Sequence, residues 1–286
     1  VLETATSVPA VRAAVAAAKA DGRKVGFVPT MGALHEGHLR LIDHCRDRSG
    51  FTVVSIFVNP TQFGPSEDFS RYPRTLDDDL RKCREAGADL VFTPTPAEVY
   101  PRGASATTFV EVPGLSQVLE GEIRPTHFRG VTTVVMALFN IVRPDLAVFG
   151  QKDYQQQLLI RRMVEDLHVG VEIATAPTVR EPDGLAMSSR NRYLDPRQRQ
   201  GAAVLHRALE AARRLVDGGE RDADRVRQIL RSTIESEATA RLEYAVVADA
   251  ETLAELGDIA PGRAAVALLA ARFGTTRLID NARLTE

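Results

Sequence analysis

The chain has 286 residues, 44% of them apolar and 26% charged, with a formal net charge of -2 at pH 7. That length allows one large domain or two modest ones, and so even a charge balance excludes the basic footprint of a nucleic-acid-binding protein. Two cysteines exclude a disulfide framework, no apolar run reaches membrane length, and no basic-then-apolar leader follows Val1, so a cytoplasmic location is expected.

Residues 7–20 predict a first helix, capped by Ser7, with Pro9 in its first turn and Gly22 just past its end. The apolar run 25–28 predicts a buried strand that closes in a turn at Pro29-Thr30. Leu39, Leu41, Ile42 and Cys45 recur near helical spacing over 39–48. Residues 51–58 predict a second strand, apolar almost throughout, as when both sheet faces are covered, and 59–64 a turn-rich loop. A helix over 76–86, a strand over 89–93, a proline-rich loop over 94–103 and a short strand over 107–112 follow. Residues 131–142 read as an apolar helix, 146–149 as a strand running into a helix that ends near 167, and 171–174 as one more strand. Cys45 and Cys83 fall in helical patterns and read as reduced core residues. Strand–helix alternation predicts an α/β fold with a doubly wound, Rossmann-like parallel sheet.

Past about residue 178 the rhythm changes. Helical segments 196–216 and 223–240 follow one another without a strand, and strand-like runs at 242–247, 264–269 and 277–279 close the chain. The expected division is a first domain over 1–178 and a smaller C-terminal α+β domain over 179–286.

His35-Glu36-Gly37-His38 stands where the first buried strand hands over to a helix. A helix start offers unpaired N–H groups and a positive dipole end, and two imidazoles add further donors, so the place suits phosphate. The spacing is not the His-Glu-x-x-His of a zinc hydrolase, and neither a Walker A string nor Gly-x-Gly-x-x-Gly occurs. A nucleotide would therefore be held by something other than those glycine loops. Two cysteines among six histidines do not make a cysteine-rich zinc site, and no metal ligand is assigned. The run Asp77-Asp78-Asp79 fits a solvated first helical turn as well as it fits magnesium ligands. In open parallel sheets ligands bind at the carboxyl ends of the strands. There the chain places His35 and His38 after one strand, Asn59 and Gln62 after a second, Lys152 and Asp153 after a third, and Arg180, Ser188, Ser189 and Arg190 after a fourth.

His35-Glu36-Gly37-His38 resembles the His-x-Gly-His signature of the superfamily that holds class I aminoacyl-tRNA synthetases and nucleotidylyltransferases. Met187-Ser188-Ser189-Arg190 looks like its second signature, a mobile loop. The strings 29–38, 57–64, 149–156 and 187–191 together resemble the pantothenate synthetase (pantoate–β-alanine ligase) family. That resemblance implies an amide-forming ligase that joins pantoate to β-alanine with ATP, giving pantothenate, AMP and pyrophosphate through a pantoyl adenylate. It implies ATP with Mg²⁺, a homodimer, and neither nucleic acid nor membrane as partner. By the same resemblance His38, His35, Lys152 and Arg190 are catalytic. ATP falls to Met31, Gly32, Ala33, Leu34, His35, Glu36, Gly37, His38, Gly150, Gln151, Lys152, Asp153, Val179, Met187, Ser188, Ser189 and Arg190, and pantoate to Gln62 and Gln156. The alternatives are another nucleotidylyltransferase of the superfamily and a non-catalytic ATP sensor; AMP among the products separates them.

Overall fold

The computed structural model describes residues 2–64, 67 and 69–285, and packing divides them into two units. The first holds the residues up to Gln151 together with Gln155–Pro177; the second holds Lys152–Tyr154 and the residues from Thr178 onward. In the first unit the strands β1 (Glu3–Ala5), β2 (Val25–Thr30), β3 (Phe51–Ile56), β4 (Leu90–Phe92), β5 (Leu146–Gly150) and β6 (Glu172–Ala176) form a parallel sheet in the order β1-β4-β3-β2-β5-β6. Between them run α1 (Val8–Ala20), α2 (Glu36–Arg46), α3 (Leu76–Glu85), the short α4 (Pro96–Val99) and α5 (Glu120–Ile123), α6 (His127–Val142) and α7 (Tyr154–Asp166). From β2 the sheet is wound one way through β3 and β4 and the other way through β5 and β6. The winding reverses between β2 and β5, which is where an open α/β sheet leaves a crevice for a ligand.

Both faces of the central strands are covered, which is why β2 and β3 read as unbroken apolar runs. Val28 and Val54 from these strands pack with Leu146 and Val148 of β5, and α2 turns Ile42 and Cys45 into the same core. Each such aliphatic side chain contributes about 1.5–3 kcal/mol on burial. Cys45 and Cys83 are free and buried. Burial pushes the Cys45 thiol up to about 11, and burial with the nearby Asp79 charge pushes Cys83 up to about 12.

The second unit contains α8 (Pro196–Ala202), α9 (Val204–Asp217), α10 (Ala223–Glu235) and an antiparallel sheet of β7 (Ala240–Asp249), β8 (Ala265–Phe273) and β9 (Thr276–Arg283) in the order β7-β8-β9. Asp195 and Gln198 close a capping box on α8, and Asp222 caps α10. Leu205, Leu209, Val226, Leu230 and Ile234 bring the two longer helices onto Val247, Leu269 and Phe273 of the sheet. The fold class is the expected one, a doubly wound parallel sheet followed by a smaller α+β part.

Several local expectations are corrected. Residues 107–112 form no strand; instead side chains of α6 take backbone groups of this segment: Val110 N donates to Thr133 Oγ1 at 2.9 Å, and Thr132 Oγ1 donates to Val110 O at 2.6 Å. The helix expected over 196–216 breaks at Ala203; alanine itself is a strong helix former, and the local mark of the break is Gly201, two residues before it. The helix from 223 stops at Glu235. Beyond it the Glu237 carboxylate accepts from Thr239 N at 3.1 Å and Thr239 Oγ1 at 2.8 Å, and β7 begins at Ala240. The loop over 94–103 contains α4, opened by Pro96 at a position where its missing N–H costs nothing. Among the described residues no helix is long and apolar enough to cross a membrane.

Candidate active site

The chain leaves β2 through a tight turn whose shape is imposed from α3. Gly32 and Ala33 both have positive φ, 78° and 51°. Glycine suits the first because a Cβ there would lie 2.9 Å from Asp79 Oδ2; alanine at the second costs about 1–2 kcal/mol. Asp79 offsets that strain. Its side chain, 1% exposed, accepts from Ala33 N at 2.9 Å, Leu34 N at 2.7 Å and Thr75 Oγ1 at 3.2 Å. Lys82 Nζ donates to Leu34 O at 2.6 Å. Successive amides around a left-handed residue make an anion nest, and this nest holds one of the protein's own carboxylates. The reading of 77–79 as a solvated turn is therefore wrong for Asp79, whose oxygens are engaged by the turn.

Next come the histidines. His35 is the N-cap of α2: its Nδ1 accepts from Gly37 N at 3.1 Å, while His35 N donates to His38 Nδ1 at 3.3 Å. The two rings thus form a capping box in which imidazoles replace the usual hydroxyl and carboxylate. Their centroids lie 4.1 Å apart. An accepting Nδ1 leaves the proton of a neutral imidazole on Nε2. The helix start therefore carries an N–H on each Nε2 beside its own amides.

After β3 a single 3₁₀ turn, Pro60–Gln62, is organised by Asn59, which is 1% exposed. Asn59 Oδ1 accepts from Thr61 N at 3.2 Å, Thr61 Oγ1 at 2.9 Å and Tyr100 Oη at 2.7 Å; its Nδ2 donates to Gln62 Oε1 at 3.0 Å and Gly130 O at 3.1 Å. Burial pushes the Tyr100 phenol up, keeping it a donor. Gln62 Nε2 points at Met31 Sδ, 3.1 Å away, a weak acceptor. Gly130 lets α6 approach this turn, since a Cβ there would lie 2.3 Å from Thr61 O. His127 Nδ1 donates to Gln62 O at 2.9 Å. Burial, aided by the charge of Arg124, pulls the His127 pKa down to about 4, so this ring is neutral, with Nε2 as its acceptor. Arg124 makes a two-pronged pair with Glu67 at 2.6 Å and also donates to Gln62 O at 3.3 Å. Burial alone would raise the Glu67 carboxyl; the Arg124 hydrogen bond and charge hold it below the ordinary range.

Gly150 ends β5 with the space its missing Cβ would fill lying 3.8 Å from a Leu41 methyl. Gln151 begins a 3₁₀ turn. Gln156, half-buried on α7, stands between the buried Gln155 and Gln157. Gln155 Nε2 donates to Leu115 O and Val118 O, both at 2.8 Å.

In the second unit Lys152 Nζ lies 3.7 Å from Asp153 Oδ1. Residues 179–187 form a hairpin: Met187 N donates to Val179 O at 3.0 Å, and Arg180 bridges Ala186. Ser188 caps the 3₁₀ turn Ser189–Tyr193, its Oγ accepting from Arg190 N at 3.2 Å, and Asn191 Nδ2 donates to Ala186 O at 3.1 Å.

The structure thus joins His35 to His38 and Met31 to Gln62, and, in the second unit, Val179 to Met187. Sequence reasoning missed Asp79, Tyr100, Arg124, His127 and Gly130, whose roles come from contacts 41 to 71 positions away in the chain. Among the described residues no three histidine, cysteine, aspartate or glutamate side chains gather as a metal site.

A profile of the Pantoate-beta-alanine ligase family matches residues 3–283. The pantothenate synthetase of Moorella thermoacetica is 54% identical over 280 residues, 98% of either chain. The crystal structure of pantothenate synthetase from Thermus thermophilus matches with a TM-score of 0.93 at 46% identity, over 99% of this chain and 100% of that one. The pantoate-beta-alanine ligase of Francisella tularensis, complexed with Beta-gamma ATP and Beta-alanine, matches with a TM-score of 0.78 at 31% identity, over 99% of this chain and 98% of that one.

Proposed function

The chain belongs to the pantoate–β-alanine ligase family, ATP-dependent ligases that make pantothenate from pantoate and β-alanine, and we propose that it does so through a bound pantoyl adenylate. The observation that carries this reading is the reciprocal cap of His35 and His38, which sets both imidazole rings at the start of α2.

A carboxylate is a poor electrophile. Its oxygen first attacks the α-phosphorus of ATP, the bond to pyrophosphate breaks, and the pantoyl group becomes a mixed anhydride. The β-alanine nitrogen then attacks the acyl carbon, loses a proton, and AMP leaves with the anhydride oxygen. Negative charge moves to the departing pyrophosphate in the first step, and fixed donors stabilise it best. His35 and His38 supply ring N–H donors, Lys152 a point charge and Arg190 a planar fork. The turn Met31–Leu34 with Glu36 and Gly37, the stretch Gly150, Gln151 and Asp153, and Val179, Met187, Ser188 and Ser189 complete the nucleotide contacts in this reading. ATP and pantoate binding fall to residues 1–178, and the Met-Ser-Ser-Arg loop to 179–286.

Gln62 and Gln156 are the pantoate residues. Gln62 Nε2 donates to the thioether of Met31, and a hydroxyl or carboxylate is a far better acceptor. Magnesium enters as an ion carried on the nucleotide phosphates. A homodimer is part of the same reading.

The experiment is exchange of labelled pyrophosphate into ATP, with pantoate present and β-alanine absent. Pantoate-dependent exchange is the expected result. Its absence, with β-alanine-dependent AMP also missing, overturns the reading.

A further inference from the structure

Two of the cations assigned to the nucleotide, Lys152 and Arg190, lie in the second unit, 38 positions apart. Both trace back to neighbouring residues of β9. Asp280 and Asn281 are 2% and 3% exposed, on a strand that sends Leu278 and Ala282 into the apolar core. Asp280 lies on the same face of β9 as the core residues Leu278 and Ala282, and Asn281 on the other, because side chains alternate along a strand. The Asp280 carboxylate takes Arg180 in a fork, Nη1 at 2.7 Å and Nη2 at 3.0 Å, and also accepts from Asn281 N at 2.8 Å. Arg180 Nη1 donates in addition to Gly184 O at 3.0 Å, across the hairpin whose end carries Met187-Ser188-Ser189-Arg190. On the opposite face Asn281 Nδ2 donates to Lys152 O at 2.8 Å.

We propose that Asp280 and Asn281 are positioning residues for the adenylate-forming step, a bracket on β9 that fixes the backbone of Lys152 on one face and the base of the Met187–Arg190 loop on the other. The inference rests on the assignment of Lys152 and Arg190 to the ATP phosphates. A buried ion pair is a poor way to gain stability, since a well-packed apolar pair serves as well or better. A forked, two-point pair does what an apolar pair cannot: it fixes an angle. Charge stabilisation in a transition state depends on such placement, and a misplacement of about 1 Å costs on the order of 100-fold in rate.

The test uses the whole chain and three variants: Asp280→Asn, Asn281→Leu, and the double variant Arg180→Met with Asp280→Leu, which offers the fold an apolar pair. Pantoate-dependent pyrophosphate exchange, KM for ATP, KM for pantoate and the thermal midpoint are measured for each. The double variant is expected to keep its thermal midpoint yet raise KM for ATP and slow exchange by about 10- to 100-fold, with KM for pantoate within about twofold. Asn281→Leu is expected to do the same through Lys152 alone. If the double variant folds and exchanges like the wild type, the bracket is structural only and the proposal falls. If the wild type itself shows no pantoate-dependent exchange, it is the assignment of the phosphate site that fails. Should Asp280→Asn not fold, the other two variants decide.

Discussion

The carboxylate of Asp79, at the start of α3, accepts the backbone amide of Leu34 at 2.7 Å, one residue before the first histidine of the site. A side chain 45 positions away thus determines where His35 begins its cap. Asp79→Asn keeps the shape but turns an NH₂ group toward one of two amide donors. The loss should be about 2–3 kcal/mol of unfolding free energy in urea, with pyrophosphate exchange slowed even where the protein remains folded. Full exchange activity in a destabilised variant would show that the turn tolerates the change.

The two nitrogens of His38 can be tested apart. Asparagine places its oxygen near the position of Nδ1, and so keeps the acceptor for His35 N; glutamine reaches toward Nε2 and keeps a donor there. His38→Asn should retain the thermal midpoint and lose about 100- to 1,000-fold in pyrophosphate exchange. His38→Gln should lose less activity and up to about 1 kcal/mol of helix capping. The opposite ranking would place the catalytic contribution in the cap.

Gly130→Ala puts a methyl group 2.3 Å from the Thr61 carbonyl oxygen, which is backbone and cannot swing aside, so the 3₁₀ turn that carries Gln62 must move. Overpacking of this kind costs about 1–3 kcal/mol. Steady-state kinetics should show KM for pantoate rising by about tenfold or more while KM for ATP changes little. Equal effects on both substrates would argue against Gln62 as a pantoate residue.

His127 predicts a pH dependence of stability. Its pKa falls from 6.5 to about 4 in the folded chain, through burial first and the Arg124 charge second. Between those values the unfolded chain binds a proton that the folded chain does not, so stability is lost as pH falls from about 6.5 to about 4 and levels off below. His127→Asn keeps an N–H for Gln62 O and cannot titrate. Over that interval the wild type should lose about 3 kcal/mol more than the variant in urea unfolding. Parallel pH profiles would contradict the depressed pKa.

Much of the site could be read from sequence because its parts sit at the ends of apolar strands. His35 and His38 follow β2, and Asn59 and Gln62 follow β3, so strand prediction alone brings them to the same edge of one parallel sheet. What supports them could not be read that way. Asp79 looks like any acid in a helix's first turn until the turn after β2 lies beside it. Gly130 stands just before the helix read over 131–142 and carries no mark of a role until Thr61 fills the space of its missing side chain. The segment 107–112 has strand composition, yet Thr132 and Thr133 take its backbone groups first. Where a polar partner comes from a distant element, composition and periodicity carry no mark of it.

The two buried thiols of the first unit give the molecule a built-in reporter. Neither Cys45 nor Cys83 forms an appreciable thiolate near neutral pH while its core is closed. The chain has no other cysteine. An alkylating reagent should therefore mark the protein only when the core beneath α2 and α3 opens, and it has no target in the second unit. The labelling rate then follows the opening equilibrium of one half of the molecule, measured on the unmodified wild-type chain.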